Sequence, residues 1–308
     1  MSLIKILKVA AIPPIILAAV FLTNILGAKP RESAIAPPKI NAESAIIIDA
    51  WDGLVLFEKD PEAKLIPAST VKIMTAVVAL EHAALESIVT IPHEATIVEP
   101  TKAGFLKGDK YTLRDMLAAL LIKSGNDAAV AISVNIAGSE EEFAKLMNKK
   151  ALEIGMNDTR FVNASGLPDK DAEQHTTATD LSKLMLYALR YPEIIHLCSL
   201  EAMTIRGAFG KPIELKTHNR LLFKNKFVPW GKTGYTRAAK RTFVGVNPSH
   251  EQKRIVFAFL KSDDIWRDII KLNAYGLGRM YARHDNYLFR IKKWVVENFF
   301  ARPLYVKV

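Results

Sequence analysis

Three short motifs contain side chains that together could carry out acyl transfer to a serine. The first is Ser69-x-x-Lys72, which leads into an apolar helical pattern and would place a hydroxyl and an ammonium one turn apart on one helix face. A lysine that loses its proton, through burial or a neighbouring cation, can activate such a serine as a nucleophile. The pair is a weak signal alone, because the same spacing recurs at Ser2-x-x-Lys5 in an apolar N-terminal segment.

The second motif is Ser124-x-Asn126, which lies where one predicted helix ends and the next begins. The same spacing recurs at Ser133-x-Asn135. Ordinary capping between two helices would also account for Ser124 and Asn126. The motif indicates a catalytic site only in combination with the other two motifs, between which it lies in the sequence.

The third motif is Lys232-Thr233-Gly234, which occurs once and lies in an extended stretch. An ammonium, a hydroxyl and a glycine that permits close backbone approach suit an anion site, although a strand with a bulge at the glycine would look the same. The surrounding residues 220–241 contain seven Lys or Arg and no Asp or Glu. This locally positive field favours a ligand with a negatively charged end.

The hydrophobic pattern places the motifs in a domain whose strands lie at both ends and whose helices lie between them. Two β-rich runs, 45–49 and 54–57, flank Asp52-Gly53 and predict a hairpin. Helical patterns lie at 69–83, 112–124, 126–137, 140–154, 178–190 and 264–282, and later strand patterns lie at 228–236, 241–246 and 254–261. This order predicts an α/β (α+β) domain with a sheet built from both ends and an inserted helical block.

In this fixed order the motifs resemble the signature of low-molecular-mass penicillin-binding proteins, the serine-type D-alanyl-D-alanine carboxypeptidases of the β-lactamase/transpeptidase-like superfamily. The similarity covers about 42–282 and is carried by the stretches 67–75, 106–115, 122–129, 155–163, 166–169 and 231–236. It implies an antiparallel sheet of about five strands flanked by helices, with an all-helical subdomain inserted. One departure is Ala239-Lys240, where the family usually has Ala-Gly.

The resemblance implies a role for each motif residue in cleaving a peptidoglycan stem peptide that ends in D-Ala-D-Ala. Ser69 would attack the carbonyl between the two D-alanines, Lys72 would be the base, and Ser124 would relay the proton to the leaving amine. The implied substrate-binding residues are Asn126, Lys232, Thr233, Gly234, Tyr235, Thr236 and Arg220, with the backbone N–H groups of Ser69 and Tyr235 forming the oxyanion hole. β-Lactam antibiotics would acylate Ser69, and no metal or organic cofactor is expected.

Three other functions remain open from the sequence. A class A-like β-lactamase needs a glutamate that activates the deacylating water, and Glu153-x-x-x-Asn157 is superficially similar, but we interpret it as a helix end. A DD-endopeptidase or transpeptidase acting on cross-links would use the same residues. A catalytically inactive wall-binding protein is disfavoured by the intact motifs.

The basic charge belongs mainly to the two ends of the 308-residue chain. The net charge of +10 divides into +4 for residues 1–41, +2 for 42–282 and +4 for 283–308, and no nucleic-acid-binding pattern accompanies it, so no nucleic-acid partner is expected. We divide the chain into a signal peptide or signal-anchor (1–28), a linker (29–41), a catalytic domain (42–283) and a basic amphipathic tail (284–308). The tail suits either a membrane surface or packing on the domain. An exported protein at the outer face of the cytoplasmic membrane is expected.

The cysteine and histidine pattern gives no sign of a disulfide or a metal site. Cys198 is the single cysteine and lies in an apolar stretch, where a buried, inert thiol is expected. The seven histidines form no zinc-binding spacing.

Overall fold

The computed structural model describes residues 36–207, 212–223, 229–247 and 254–284. Within these residues the chain forms nine strands: β1 (Ser44–Asp49), β2 (Val55–Lys59), β3 (Ile88–Thr90), β4 (Lys110–Thr112), β5 (Ala202–Ile205), β6 (Ile213–Lys216), β7 (Trp230–Thr236), β8 (Lys240–Val246) and β9 (Ile255–Ser262). The helices are α1 (Lys72–His82), α2 (His93–Ile97), α3 (Leu113–Leu121), α4 (Asn126–Ala137), α5 (Glu140–Glu153), α6 (Ala178–Ala188), α7 (Pro192–Ser199) and α8 (Ile265–His284).

The main sheet has five antiparallel strands in the order β2-β1-β9-β8-β7. Strand β1, near the start of the domain, pairs with β9, near its end, so that Ser44 lies opposite Leu260. The helices from α1 to α7 are inserted between β2 and β7. The predicted fold class is therefore confirmed, including a sheet assembled from both ends of the domain.

Both faces of the sheet are covered, which explains why its central strands are apolar almost throughout. Along β1, Ile46 and Ile48 pack into one hydrophobic core with α1 and α6, while Ala45 and Ile47 pack into a second core with α8. This alternation follows from the two-residue period of a strand. The sheet therefore lies between the inserted helices on one face and α8 on the other.

Hydroxyl side chains fix where the longer helices begin. Thr112, Ser139 and Thr177 precede α3, α5 and α6, and each side chain accepts a hydrogen bond from the backbone N–H three residues later. Such caps satisfy N–H groups that have no partner within the helix. The cap at Thr177 marks the start of the helix that the sequence predicts at 178–190.

The structure differs from the sequence prediction in its shortest elements. The helix predicted at 69–83 begins as a 3-10 turn, Ala68–Val71, before α1. The pairs β3–β4 and β5–β6 were not predicted, because strands of three or four residues show too little periodicity. Helix α7 is also absent from the predicted elements; it begins at Pro192, because proline is favoured at the first position of a helix.

None of the helices in the described ranges is both long and apolar enough to cross a membrane. The predicted signal or anchor segment 1–28, most of the linker and the tail after His284 lie outside the described residues.

Candidate active site

The three motifs meet at one cavity of about 440 Å³ beside the free edge of β7. Ser69 comes from the 3-10 turn, Ser124 from the junction of α3 and α4, and Thr233 and Gly234 from β7. The full lining consists of Ser69, Pro100, Thr101, Ser124, Thr217, His218, Arg220, Thr233, Gly234, Tyr235, Arg241, Thr242, Ile265 and Trp266. Residues far apart in the sequence are thus brought to one surface.

Lys72 lies completely buried beneath Ser69. Its Nζ donates hydrogen bonds to Ser69 Oγ (2.9 Å), Asn126 Oδ1 (2.8 Å) and the carbonyl of Ser165 (2.5 Å). Burial, followed by the nearby charge of Lys232, holds the pKa of Lys72 well below its usual value, although the carboxylates of Asp127 and Glu140 oppose the shift. A neutral Lys72 amine has two N–H groups and a lone pair, so it can donate to Asn126 and Ser165 while its lone pair accepts the Ser69 proton across the 2.9 Å contact.

The contact with Ser165 was not predicted from the sequence. Its signal was Gly166, within the stretch 166–169 that supports the family resemblance. Gly166 has φ +81°, and a Cβ on it would lie 2.0 Å from the carbonyl oxygen of Ala68 and 3.1 Å from the backbone N of Ser69. Only a glycine lets this loop pass so close to the nucleophile and offer the Ser165 carbonyl to Lys72.

The second motif forms the wall opposite β7. Ser124 has a left-handed backbone (φ +61°) at the turn between α3 and α4, and its side chain lines the cavity. Asn126 is fixed on both sides, because its Nδ2 donates to the carbonyl of Pro100 and its backbone N–H donates to the carbonyl of Thr101 (2.9 Å). These bonds hold the Asn126 amide oxygen towards Lys72.

The third motif packs closely against the 3-10 turn that carries Ser69, and Gly234 makes this close approach possible. A Cβ on Gly234 would lie 2.3 Å from Thr242 Oγ1 and 2.8 Å from the backbone N of Ser69. Thr242 Oγ1 in turn donates to the carbonyl of Pro67 (3.0 Å), which ties β8 to the same turn. The backbone N–H groups of Ser69 and Tyr235 are therefore brought to neighbouring positions.

Lys232 is buried in the strand behind the cavity. Its Nζ donates to the carbonyl of Thr233 (2.7 Å), and burial lowers its pKa to about 8, so it is mainly charged at neutral pH. Cys198 lies nearby in α7 and is buried, as expected; burial raises the pKa of its thiol to about 12, so it is unreactive.

The structure places two of the predicted binding residues, Arg220 and Thr236, in different surroundings. Arg220 lines the cavity, whereas the hydroxyl of Thr236 accepts a hydrogen bond from the backbone N–H of Ala239 (3.0 Å) within the turn between β7 and β8. Thr236 is not among the residues that line the cavity.

Two further lining residues, His218 and Arg241, were not assigned a role from the sequence. Burial, followed by the charges of Lys232 and Lys123, lowers the pKa of His218 to about 4, so its ring is neutral at neutral pH. Arg241 belongs to the basic run 220–241 that the sequence shows. Its position at the cavity follows from the pairing of β8 with β7, which places Arg241 opposite Tyr235.

Glu153 lies in the last turn of α5 and forms an ion pair with Lys150 (2.6 Å). It does not line the cavity, which agrees with its interpretation as a helix end. Within the described part of the chain, no three His, Cys, Asp or Glu side chains are grouped so that they could hold a metal ion.

Comparison with known families and proteins gives a consistent result. The family model described as D-alanyl-D-alanine carboxypeptidase matches residues 31–263. The chain is 36% identical over 204 residues to the D-alanyl-D-alanine carboxypeptidase DacF of Bacillus subtilis, which covers 65% of this chain and 52% of that protein. The chain thus spans about half the length of that relative.

Two other similarities bear on function and fold. A D-alanyl-D-alanine endopeptidase of Escherichia coli is 29% identical over 243 residues, with 75% of this chain and 74% of that protein covered. The crystal structure of a D-alanyl-D-alanine carboxypeptidase from Mycobacterium tuberculosis superposes with a TM-score of 0.72 at 29% identity, over 82% of this chain and 95% of that one.

Proposed function

The chain belongs to the D-alanyl-D-alanine carboxypeptidase family of serine peptidases, and from this premise we propose that it removes the terminal D-alanine from peptidoglycan stem peptides. The observation that carries the proposal is the hydrogen bond from buried Lys72 Nζ to Ser69 Oγ, in a cavity bounded by the basic strand β7. β-Lactam antibiotics are expected to acylate the same serine.

Acylation begins when the Ser69 hydroxyl attacks the carbonyl carbon of the penultimate D-alanine. The Ser69 proton passes to the neutral Lys72 amine, and the new O–C bond converts the carbonyl into an oxyanion. The backbone N–H groups of Ser69 and Tyr235 donate to this oxyanion, and each such donor typically contributes about 3 kcal/mol to transition-state stabilisation.

Breakdown of this intermediate releases the last D-alanine. The C–N bond breaks, and the leaving nitrogen takes a proton from Lys72 by way of the Ser124 hydroxyl. Water then attacks the acyl-Ser69 ester, and the stem peptide, shortened by one residue, leaves with a new carboxylate while Ser69 regains its proton.

Recognition of a chain end follows from the charge of the cavity. Lys232, Thr233 and Arg220 would hold the terminal carboxylate by charge-assisted hydrogen bonds. An internal peptide bond presents no such carboxylate, which favours carboxypeptidase action over cleavage within a chain.

The main test is mass spectrometry of the protein after incubation with penicillin, combined with digestion of purified muropeptides. We expect a stable adduct on Ser69, its loss in Ser69→Ala, and release of free D-alanine. Products cut at cross-links would instead support endopeptidase action, an alternative favoured by the similarity to the E. coli endopeptidase. Rapid turnover of penicillin would indicate a β-lactamase, and failure to label Ser69 would indicate an inactive wall-binding protein.

We also propose that the protein works at the outer face of the cytoplasmic membrane, in the periplasm or cell-wall space. The support is the basic, apolar segment 1–28 and the basic amphipathic pattern of 284–308. N-terminal sequencing of the mature protein distinguishes a cleaved signal from an anchor. Deletion of 284–308 is expected to weaken liposome binding. Unchanged binding would indicate that the tail packs on the catalytic domain instead.

A further inference from the structure

We propose that one end of the active-site cavity is a subsite for a carboxylate on the acyl side of the substrate, with Arg241 as its cation. The carboxylate would belong to the residue that precedes the two terminal D-alanines. This inference rests on the proposed function and concerns which stem peptides the enzyme prefers. The subsite is formed by Tyr235, Arg241 and Trp266.

The geometry of β7, β8 and α8 builds this end of the cavity. Arg241 of β8 lies opposite Tyr235 of β7 in the sheet, and its guanidinium carbon is 5.3 Å from the centre of the Tyr235 ring. Ile265 and Trp266, at the start of α8, complete the lining. Tyr235 is 63% exposed, so the stacked pair is accessible to a bound ligand.

Arg241 faces a cavity without acidic groups. Among the described residues it forms no ion pair, and no Asp or Glu lines the cavity. The acids at the start of α8 have other partners, since Asp263 pairs with Lys240 (3.0 Å) and Asp264 with Arg267 (3.7 Å). A guanidinium in this setting is suited to bind a ligand carboxylate through paired hydrogen bonds.

Arg241 can bind the substrate only if the substrate carries a second anionic group. The terminal carboxylate of the substrate is already assigned to Lys232, Thr233 and Arg220. The Tyr235 N–H is assigned to the carbonyl of the penultimate D-alanine. On a peptide extended along β7, the residue before that alanine lies about 3.3 Å further along the strand, within reach of the side chains of Tyr235 and Arg241.

The experiment compares two synthetic peptides that differ mainly in one charge. N-acetyl-2-aminoadipyl-D-Ala-D-Ala carries a side-chain carboxylate, and N-acetyl-norleucyl-D-Ala-D-Ala carries an apolar side chain of the same length. We expect kcat/KM for D-alanine release to be about tenfold higher for the aminoadipyl peptide. This is the gain expected from one partly exposed hydrogen bond between its carboxylate and the Arg241 guanidinium. In Arg241→Gln the ratio of the two values should fall to about one.

Two further variants separate a specific contact from general charge. Lys240→Gln removes a positive charge from the neighbouring residue, which pairs with Asp263 outside the cavity, and should keep the wild-type ratio. Arg241→Glu should reverse the preference, so that N-acetyl-lysyl-D-Ala-D-Ala becomes a better substrate than the aminoadipyl peptide. Penicillin acylation reports that each variant is folded.

The outcomes distinguish this inference from the proposed function. Release of D-alanine from both peptides with equal kcat/KM in the wild type overturns the subsite and leaves the proposed function standing. An unchanged ratio in Arg241→Gln overturns the assignment to Arg241. Release from neither peptide, with no penicillin adduct, overturns the proposed function and the subsite with it.

Discussion

Lys72 and Lys232 are two buried lysines of the candidate active site, and the proposed mechanism gives them opposite protonation states. In it Lys72 is neutral and accepts the Ser69 proton, whereas Lys232 is charged and holds a carboxylate. Burial is the largest cause of the lowered pKa of each, and Lys232 lowers that of Lys72 further. The charge of one lysine thus helps to keep the other in its active form.

The pKa of about 8 for Lys232 predicts how the activity ends at high pH. As the pH rises through this value, Lys232 loses its charge and the terminal carboxylate loses its main partner. We expect kcat/KM for D-alanine release to fall about tenfold between pH 8 and pH 9.5. In Lys232→Arg the guanidinium stays charged, so this fall should disappear even if the absolute rate is lower.

The test is a profile of kcat/KM from pH 6 to pH 10 for the wild type and Lys232→Arg, each normalised to its own value at pH 7. A fall at the same pH in both proteins would assign the high-pH limb to another group.

At the residue scale the sequence predicts the side chains of the proposed mechanism but not the backbone groups that position them. Ser69, Lys72, Ser124 and Lys232 are recognisable from type, spacing and order. The Ser165 carbonyl cannot be predicted in this way, because a backbone acceptor leaves no trace in side-chain type. Thr236 follows the third motif in sequence, yet the turn takes up its hydroxyl.

The proposed catalytic geometry depends on the close contact between strand β7 and the 3-10 turn. We predict that Gly234→Ala lowers the rate of acylation by at least about 100-fold, because a Cβ 2.8 Å from the Ser69 nitrogen would push the oxyanion-hole donors apart. The measurement is the second-order rate constant for labelling by a fluorescent penicillin.

The matched control for this change is Gly138→Ala after α4. Gly138 also has a positive φ of +83°, but a Cβ there would meet nothing within 4 Å. It should cost about 1 kcal/mol of stability and leave the acylation rate intact. Equal rates for Gly234→Ala and the wild type would show that the close approach is not required.

The Asp127 carboxylate is one of the groups that hold the loop between α2 and β4 to α4, beside the bonds made by Asn126. Asp127 accepts hydrogen bonds from the backbone N–H groups of Ala103 (3.0 Å) and Gly104 (2.8 Å), and its charge raises the pKa of Lys72. We predict that Asp127→Asn moves the rising limb of the acylation pH profile to lower pH, since Lys72 then loses its proton more readily.

The pH dependence of penicillin labelling measures this shift. Glu142→Gln, which neutralises an exposed acid at the start of α5, is the control and should leave the profile unchanged. A limb that stays in place in Asp127→Asn, with only reduced stability, would restrict Asp127 to holding the loop.

The sequence predicts the longer elements well, because their hydrophobic periodicity extends over several turns or strand residues and capping residues mark where helices begin. The hairpin β1–β2, strands β8 and β9 and helices α3 to α6 lie within a few residues of their predicted positions. The cavity itself is built by shorter pieces. Pro100 and Thr101 lie in a loop, and no local pattern shows that they line the site.

At the scale of the whole molecule, Asp268 joins both ends of the domain. This buried carboxylate in α8 accepts hydrogen bonds from the backbone N–H of Asn41 (2.9 Å), the backbone N–H of Ala42 (2.8 Å) and Ser262 Oγ (2.7 Å). We predict that Asp268→Ala lowers the free energy of unfolding by at least about 3 kcal/mol, because it leaves buried donors without partners.

Urea denaturation measures this loss. Asp263→Ala removes a nearby exposed acid that pairs with Lys240, and should change the stability by less than about 1 kcal/mol. Similar losses in the two variants would show that Asp268 has no special role in joining the ends.

The pairing of β1 with β9 also sets the order in which the protein can fold. The helices between them can form through contacts that are close in sequence, whereas the sheet must wait for β9, the last of its strands along the chain. A growing chain that has not reached Ile255 already contains Ser69 and Lys72, but lacks the strand that joins β1 to β8 and β7. The five-stranded sheet, and with it the candidate active site beside β7, can therefore be completed only after β9 has been synthesised.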